Sequence, residues 1–372
     1  MLPLPDPVDA VTTGQPACVY AGLASRGALL WHEGRRAWIA TREESVQAVL
    51  DHPGCRVRPV NQPVPMALAG TVAGDVFGRL VRMNDGEVHR QAKEAIVAAL
   101  DSIDLAEVRA LTRQWTTRLL AGHSTHLAFD VPVHVMGALL GIPDDRLPEL
   151  TSLTGSFAGG IAPNASTAAI AKGIDAAGRL VAECSERLHL AQAESLLRRF
   201  NTAFARAGLD DRDAVIANAI GLLVQTHDAM AGLIGNAIVH LATRTDVTEV
   251  ECPVSPQVMA IVRQVSRRDP SIQNTRRFVA DDVTIDGLSI PAGASILVLL
   301  AGANDDSTES WEFGYGRHAC PGQAIAIAIA DACLETLIAE GALPAAILSP
   351  MAFQDSPNAR IPVLDGFTGT AQ

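Results

Sequence analysis

Phe313-Gly314-Tyr315-Gly316-Arg317-His318-Ala319-Cys320-Pro321-Gly322 stands just before an Ala/Ile-rich helical pattern that begins near Gln323. Two glycines let this backbone turn tightly and come close to something flat. Cys320 falls where the turn meets a helix N-terminus. There the unbonded N–H groups and the positive end of the helix dipole favour a thiolate over a thiol. A thiolate held by N–H donors, with His318 two residues before it and Gly322 two residues after it, suits the axial ligand of a haem iron.

The segment resembles the haem-binding signature of the cytochromes P450. There Phe, Gly, Gly, His, Cys and Gly recur at these spacings, and each of those positions is filled here. Two plainer readings compete: Cys320 as an ordinary buried cysteine, and His318 with Cys320 as half of a zinc site. The second lacks another pair at zinc-site spacing. The resemblance implies a mainly α fold, one domain over residues 1–372, with a small β region around a buried haem b. It implies that Cys320 is the axial iron ligand. It also implies that Phe313, Gly314, His318, Pro321 and Gly322 line the haem, with Ala326 of the following helix.

The 372 residues carry 48% hydrophobic and 19% charged side chains, an ordinary globular balance. Aromatics are only 4%, while Ala, Leu, Val and Ile dominate, which fits a helix-rich core. A net charge of −12 argues against a nucleic-acid-binding surface. The six cysteines follow no framework spacing and read as reduced cytosolic thiols. Met1 is followed by Leu-Pro-Leu-Pro-Asp-Pro, without the basic and apolar regions of a leader. The most apolar run, Ile296 to Ala303, is too short to span a bilayer. A soluble, cytoplasmic chain with no membrane partner is expected, and within the family this resembles the bacterial enzymes.

Along the chain, residues 1–20 are Pro-rich and expected to be irregular. Residues 36–40 predict a strand. Thr41-Arg42-Glu43-Glu44 predicts a capped helix to Leu50. Residues 56–80 show no clear period; in the family they form a variable loop over the haem, while by themselves they read as a surface loop. A helix follows Asp85, placing His89 and Lys93 on one face. The resemblance gives a His and a basic residue at this spacing to a haem propionate, although Lys93 lacks the fork of the usual Arg. Helices are predicted over 103–122, from Val131-Pro132 to Leu140, and over 145–160, 167–189 and 191–208. The pair 145–160 and 167–189 corresponds to the family's substrate-access lid.

A long, nearly all-apolar pattern from Asp213 to Leu241 predicts a buried helix. Its middle, Gln225-Thr226-His227-Asp228-Ala229-Met230, resembles the family's distal helix. There an acid followed by Thr organises water and delivers protons to bound dioxygen. Asp228 matches the acid, but Ala229 stands where the Thr belongs. Thr226 lies three residues before Ala229 and is the nearest hydroxyl in sequence. His227 and Asp228 need partners or a function within an apolar helix.

Residues 255–268 predict a helix, in which Gln264-Val265-Ser266-Arg267 aligns with the family's Glu-x-x-Arg. Arg277 matches a second propionate-binding Arg. Val283 to Ile290, alternating around Asp286-Gly287, predicts a hairpin, with a further strand from Ser295 to Leu300. The family's Glu, its helical Arg and a meander Arg form one charged cluster. Gln264 removes the carboxylate, and Asn304 to Phe313 is short and has no Arg. Arg267 is therefore expected to be buried and to be reached by several backbone carbonyls or by a replacement carboxylate, Glu309 or Glu312 first and Asp305 or Asp306 next.

The resemblance implies a P450-type monooxygenase tailoring a small molecule in bacterial specialised metabolism. Electrons would come from a ferredoxin and its reductase docking near Cys320 where O₂ is used. Ala229 keeps open haem-thiolate chemistry without the usual O₂ activation: peroxide-driven oxidation, rearrangement, dehydration or nitrene-type chemistry. A non-enzymatic helper is the third reading, favoured by Gln264 and the short meander and opposed by the intact cysteine signature.

Overall fold

The computed structural model describes residues 4–190, 195–243, 254–304, 310–343 and 351–364. In chain order the elements begin with α1 (Pro16–Ala24), β1 (Leu29–His32), β2 (Ala37–Ala40), α2 (Glu43–Asp51), β3 (Cys55–Arg56), α3 (Val72–Arg79) and α4 (Gly86–Leu100). Next come α5 (Leu105–Ala121), α6 (Leu127–Leu139), α7 (Leu147–Gly160), α8 (Thr167–His189), α9 (Leu196–Arg206) and α10 (Arg212–Thr243). The chain continues with α11 (Val254–Arg268), β4 (Thr275–Val279), β5 (Val283–Ile285), β6 (Leu288–Ile290), β7 (Ser295–Val298) and α12 (Gln323–Ala339). The fold is mainly α with a small β region. It gathers into two compact units, residues 1–60, 231–323 and 333–372 in the first, 61–230 and 324–332 in the second.

The first unit holds the sheets. Five strands run in the order β1-β2-β7-β4-β3, all antiparallel except the β2–β7 pair. Alternation puts Val279, Ile296 and Val298 into a core with Val46, Val49 and Leu50 of α2. β5 and β6 form the separate hairpin. Its turn residues Asp286 and Gly287 both have positive φ, the requirement that makes Asp-Gly a hairpin signal. A buried Arg360 ties the tail down: its Nε donates to Asp269 at 2.8 Å, and one terminal nitrogen to the Val11 and Thr13 carbonyls.

The second unit is helical. Leu127, Val131 and Val135 of α6, Leu147, Leu150 and Phe157 of α7, and Leu180 of α8 are fully or almost fully buried. α7 and α8 cross where two glycines meet. A Cβ on Gly160 would lie 2.6 Å from the Gly173 Cα, and one on Gly173 2.7 Å from the Gly160 Cα.

Several boundaries differ from the sequence reading. α1 forms where an irregular start is expected; Pro16 opens its first turn, where the missing N–H has no helical partner anyway. β1 was not anticipated either. α3 lies inside the stretch without a period: glycines 74 and 78 blur its pattern, and Thr71 caps it by accepting from the Gly74 N–H. α6 begins at Leu127, not at Val131-Pro132, so Pro132 sits inside the helix. Burial of Val131, Val133, Val135 and Met136 outweighs the lost hydrogen bond. α2 is capped by the Ser45 hydroxyl, which accepts from the Arg42 N–H at 3.2 Å, while Thr41 donates to the Gly27 carbonyl. The tail is held by isolated bridges from Phe353 to Pro362 and from Ala359 to Ile272.

The crossing gives a direct test. Gly173→Ala should cost about 1–3 kcal/mol in a denaturant melt, because backbone must give way. Gly178→Ala on the same helix meets only the Val72 side chain at 3.9 Å. It should be neutral, or stabilising by up to about 1 kcal/mol from helix propensity.

Candidate functional site

The cysteine loop is built entirely within the first unit. Gly314 and Gly316 have φ of +72° and +59°. A Cβ on Gly314 would come within 3.1 Å of the His318 carbonyl oxygen, and one on Gly316 within 3.0 Å of Asp51 Oδ1. The Cys320 N–H donates to the Phe313 carbonyl at 2.6 Å, closing the loop, and the Ala319 N–H to Gly316 at 3.0 Å. Cys320 is exposed and makes no disulfide. α12 starts three residues later.

α2 holds the loop from one side. Arg317 donates to the carbonyls of Asp51, His52 and Cys55 at 2.8, 2.9 and 3.0 Å. Asp51 is the last residue of α2, so the cation also meets the negative end of the helix dipole. Gln47 of α2 donates to the Tyr315 hydroxyl at 2.7 Å, and the Tyr315 ring lies 5.2 Å from that of buried Trp311. No motif announced the bonds of Arg317, because backbone carbonyls leave no mark in the sequence. The neighbouring Cys55 differs in kind: burial pushes its thiol up to about 11, opposed by the charges of Arg277 and Arg317.

The space around the Cys320 sulfur decides whether this loop fits a haem. A Cβ on Gly322 would find only Cys320 Sγ, at 4.0 Å, so the space on that side is open. Among the described residues no three His, Cys, Asp or Glu side chains gather as a metal cluster. One accessible soft donor suits an iron whose other equatorial positions a macrocycle fills. The loop therefore fits the group. Arg277 is buried on β4, with one terminal nitrogen donating to the Arg276 carbonyl at 3.0 Å, and His318 is half-buried.

Arg267 is exposed, not buried as expected, and Gln264 is half-exposed. Asp305, Asp306 and Glu309 lie outside the described residues. Glu312 is buried and turns elsewhere: one oxygen accepts from the Ser271 N–H at 2.8 Å and from its hydroxyl at 3.1 Å. Beside it, the Ser310 hydroxyl donates to the Ser266 carbonyl at 2.7 Å. Hydroxyls and one carboxyl thus join α11, the loop after it and the segment leading to Cys320.

The remaining sequence candidates belong to the second unit. His89 is buried and Lys93 half-buried, one turn apart on α4. Ala326 is half-buried on α12. In α10 the His227 Nδ1 lies 2.6 Å from Asp228 Oδ1. The His227 ring packs 4.7 Å from Phe129, and Gly155 leaves it room, since a Cβ there would be 3.0 Å from Nε2. Thr226 is buried, Ala229 half-exposed and Gln225 exposed. Gln225 and Ala229 are four apart and share a helix face, which Thr226 does not share as closely. Its amide donates to the Gly221 carbonyl at 3.0 Å. The four-residue spacing could have pointed to Gln225.

No family model matches the chain. It is 26% identical over 323 residues to cytochrome P450 107B1 of Saccharopolyspora erythraea, covering 79% of each chain. It is 26% identical over 338 residues to the mycinamicin VIII C21 methyl hydroxylase of Micromonospora griseorubida, covering 82% of this chain and 84% of the relative. A shorter match, 28% over 219 residues, is to a vitamin D(3) 25-hydroxylase of Pseudonocardia autotrophica; it spans about half of that relative, 53%. Among solved structures, CalO2 superposes with a TM-score of 0.85 at 20% identity over 100% of both chains. The ligand-free P450 monooxygenase TamI gives 0.79 at 22% identity, over 98% of this chain and 93% of that one. These two structures show the shared fold.

Burial pushes the Glu312 carboxyl up to about 7, against hydrogen bonds from Ser266, Ser271 and Ile272. Below about pH 4.5 the folded and unfolded chains both carry this proton, so burial costs nothing. Between about pH 4.5 and 7 the unfolded chain ionises first and stability falls; above about pH 7 the fall is complete. Glu312→Gln should therefore gain stability relative to wild type across that window, by up to about 3 kcal/mol. Denaturant melts of both proteins from pH 4 to 8 would show a constant difference if Glu312 ionised normally.

Proposed function

Because this chain belongs to the cytochrome P450 family of oxidoreductases, we propose that it is a haem-thiolate monooxygenase that tailors a small molecule in bacterial specialised metabolism. The observation that carries the reading is the closed loop from Phe313 to Gly322, which presents one accessible sulfur at the start of α12. Bound haem b would supply the oxidising iron. Cys320 is its thiolate ligand in this reading, and His89, Lys93, Arg277 and His318 hold its propionates. Phe313, Gly314, Pro321, Gly322 and Ala326 are the packing surface. A ferredoxin with its reductase is the electron source where O₂ is used. Among the described residues no helix is long and apolar enough to cross a membrane.

A second reading is favoured by Ala229. Delivery of protons by a positioned side chain contributes roughly 10²–10⁴-fold to a step that needs them. Here Asp228 is engaged by His227, and Ala229 offers no hydroxyl to hold the next water. The chain's own relay is broken at that position. Either the substrate brings the missing polar group, or the native reaction dispenses with O₂ activation.

Two measurements test these readings. The reduced carbon monoxide complex should show the red-shifted Soret band of a thiolate ligand, and Cys320→His should abolish the shift. A wild-type protein unable to take up haem would sink the proposal. Ala229→Thr should retain the native reaction and add oxygenase or oxidase activity, read by single-turnover product formation under anaerobiosis beside an ¹⁸O₂ run. Tight coupling of electrons to ¹⁸O in the wild type, on a substrate with no polar group near the iron, would show that the missing hydroxyl does not matter.

A further inference from the structure

A groove of about 630 Å³ lies between α4 and α9, and every residue lining it belongs to the second unit. Small side chains keep it open. Ala95 and Ala99 of α4 are buried along it, Ala98 is exposed, and Ala203 of α9 is half-buried. The walls are held in place. Leu197, Phe200 and Phe204 seat another face of α9 in the core. One terminal nitrogen of Arg199 donates to the Ser102 carbonyl at 2.7 Å and to its hydroxyl at 3.1 Å, which fastens α9 to the chain just after α4.

The α9 wall is cationic. Arg199 and Arg206 line the groove seven residues apart, so they stand on nearly one line of the helix, roughly 10 Å apart along its axis. Ala203 lies between them, and Arg198 joins them from the preceding turn. Among the described residues the one acid lining the groove is Glu94, and Arg90 already pairs with it at 2.7 Å. The groove therefore carries an excess of positive charge on a chain whose net charge is −12. A concave surface of that sign concentrates anions.

The donors and the walls narrow the kind of anion. Several guanidinium forks suit a phosphoryl group, which has more oxygens than a carboxylate and pairs with arginine bidentately. No aromatic side chain lines the groove among the described residues, so nothing there stacks on a nucleobase. The alanines of both helices instead suit an aliphatic body. The volume falls in the range of small-ligand sites, roughly 300–1,000 Å³.

We propose that this groove binds a phosphate or diphosphate ester of an aliphatic alcohol. The head group sits between Arg199 and Arg206, beside Arg198, and the body lies along the alanines of α4. This site does not depend on the haem-thiolate reading.

Isothermal titration calorimetry of the haem-loaded protein tests it with geranyl diphosphate, geranic acid, geraniol and inorganic diphosphate at one salt concentration. Geranyl diphosphate should bind wild type about tenfold tighter, or more, than each of the other three, because head group and body both contribute. The paired change of Arg198→Gln and Arg206→Gln should weaken it about tenfold or more. Arg206 is exposed and Arg198 half-buried, so the melting temperature of that variant should stay close to that of wild type. Ala98→Leu keeps every cation but takes up room for the body. It should weaken geranyl diphosphate more than inorganic diphosphate. The inference is overturned if wild type does not bind geranyl diphosphate saturably, or if any of the other three compounds binds as tightly. It is also overturned if the arginine variant binds geranyl diphosphate like wild type. The ferric haem spectrum is read in the same titration. Binding that shifts that spectrum and survives in the arginine variant would place the ester at the haem, against the inference.

Discussion

A sulfur that is to bind a metal has to be accessible, yet a loop that leaves it so gives up the burial that would otherwise fix it. The chain resolves that conflict with backbone bonds and one guanidinium. The 2.6 Å bond from the Cys320 N–H to the Phe313 carbonyl closes the loop without covering Sγ. Two left-handed glycines make that closure possible, and Arg317 holds the outer turn onto the end of α2. Each bond to a charged donor is worth roughly 1.5–3 kcal/mol. Three together offset the conformational freedom of a few loop residues, at about 1–2 kcal/mol each. α2 is in turn seated by the core beneath the five-stranded sheet. The sheet thus positions the sulfur through α2.

The same economy appears on the other side of the loop. Where a charged cluster was expected, the chain uses Ser266, Ser271, Ser310 and the carboxyl of Glu312. A carboxyl that burial pushes up to about 7 is largely neutral in mildly acidic solution, so this joint needs no cation. Breaking a buried ion pair is costly, while replacing it whole can be neutral.

How much of this was legible depended on whether the signal was local. The cysteine loop, the Asp286-Gly287 hairpin and the long apolar α10 were readable, because each is set by residues within one turn or one period. α3 was hidden by glycines that a helix tolerates when tertiary contacts favour it. Pro132 argued for a helix start that buried valines moved four residues earlier. Arg267 was misplaced because its burial was carried over from a resemblance, not read from the residues. Arg317 went unmarked because the carbonyls it binds leave no trace in sequence spacing.

In the proposed enzyme the Cys320 sulfur is bonded to a haem iron. Resonance Raman spectroscopy of the ferric protein, grown with natural and with ³⁴S-labelled cysteine, tests it most directly. An iron–sulfur stretching band is expected that moves to lower frequency with the heavier isotope and is absent from Cys320→His. A haem-loaded wild type with no isotope-sensitive band, or with the band unchanged in Cys320→His, would contradict it.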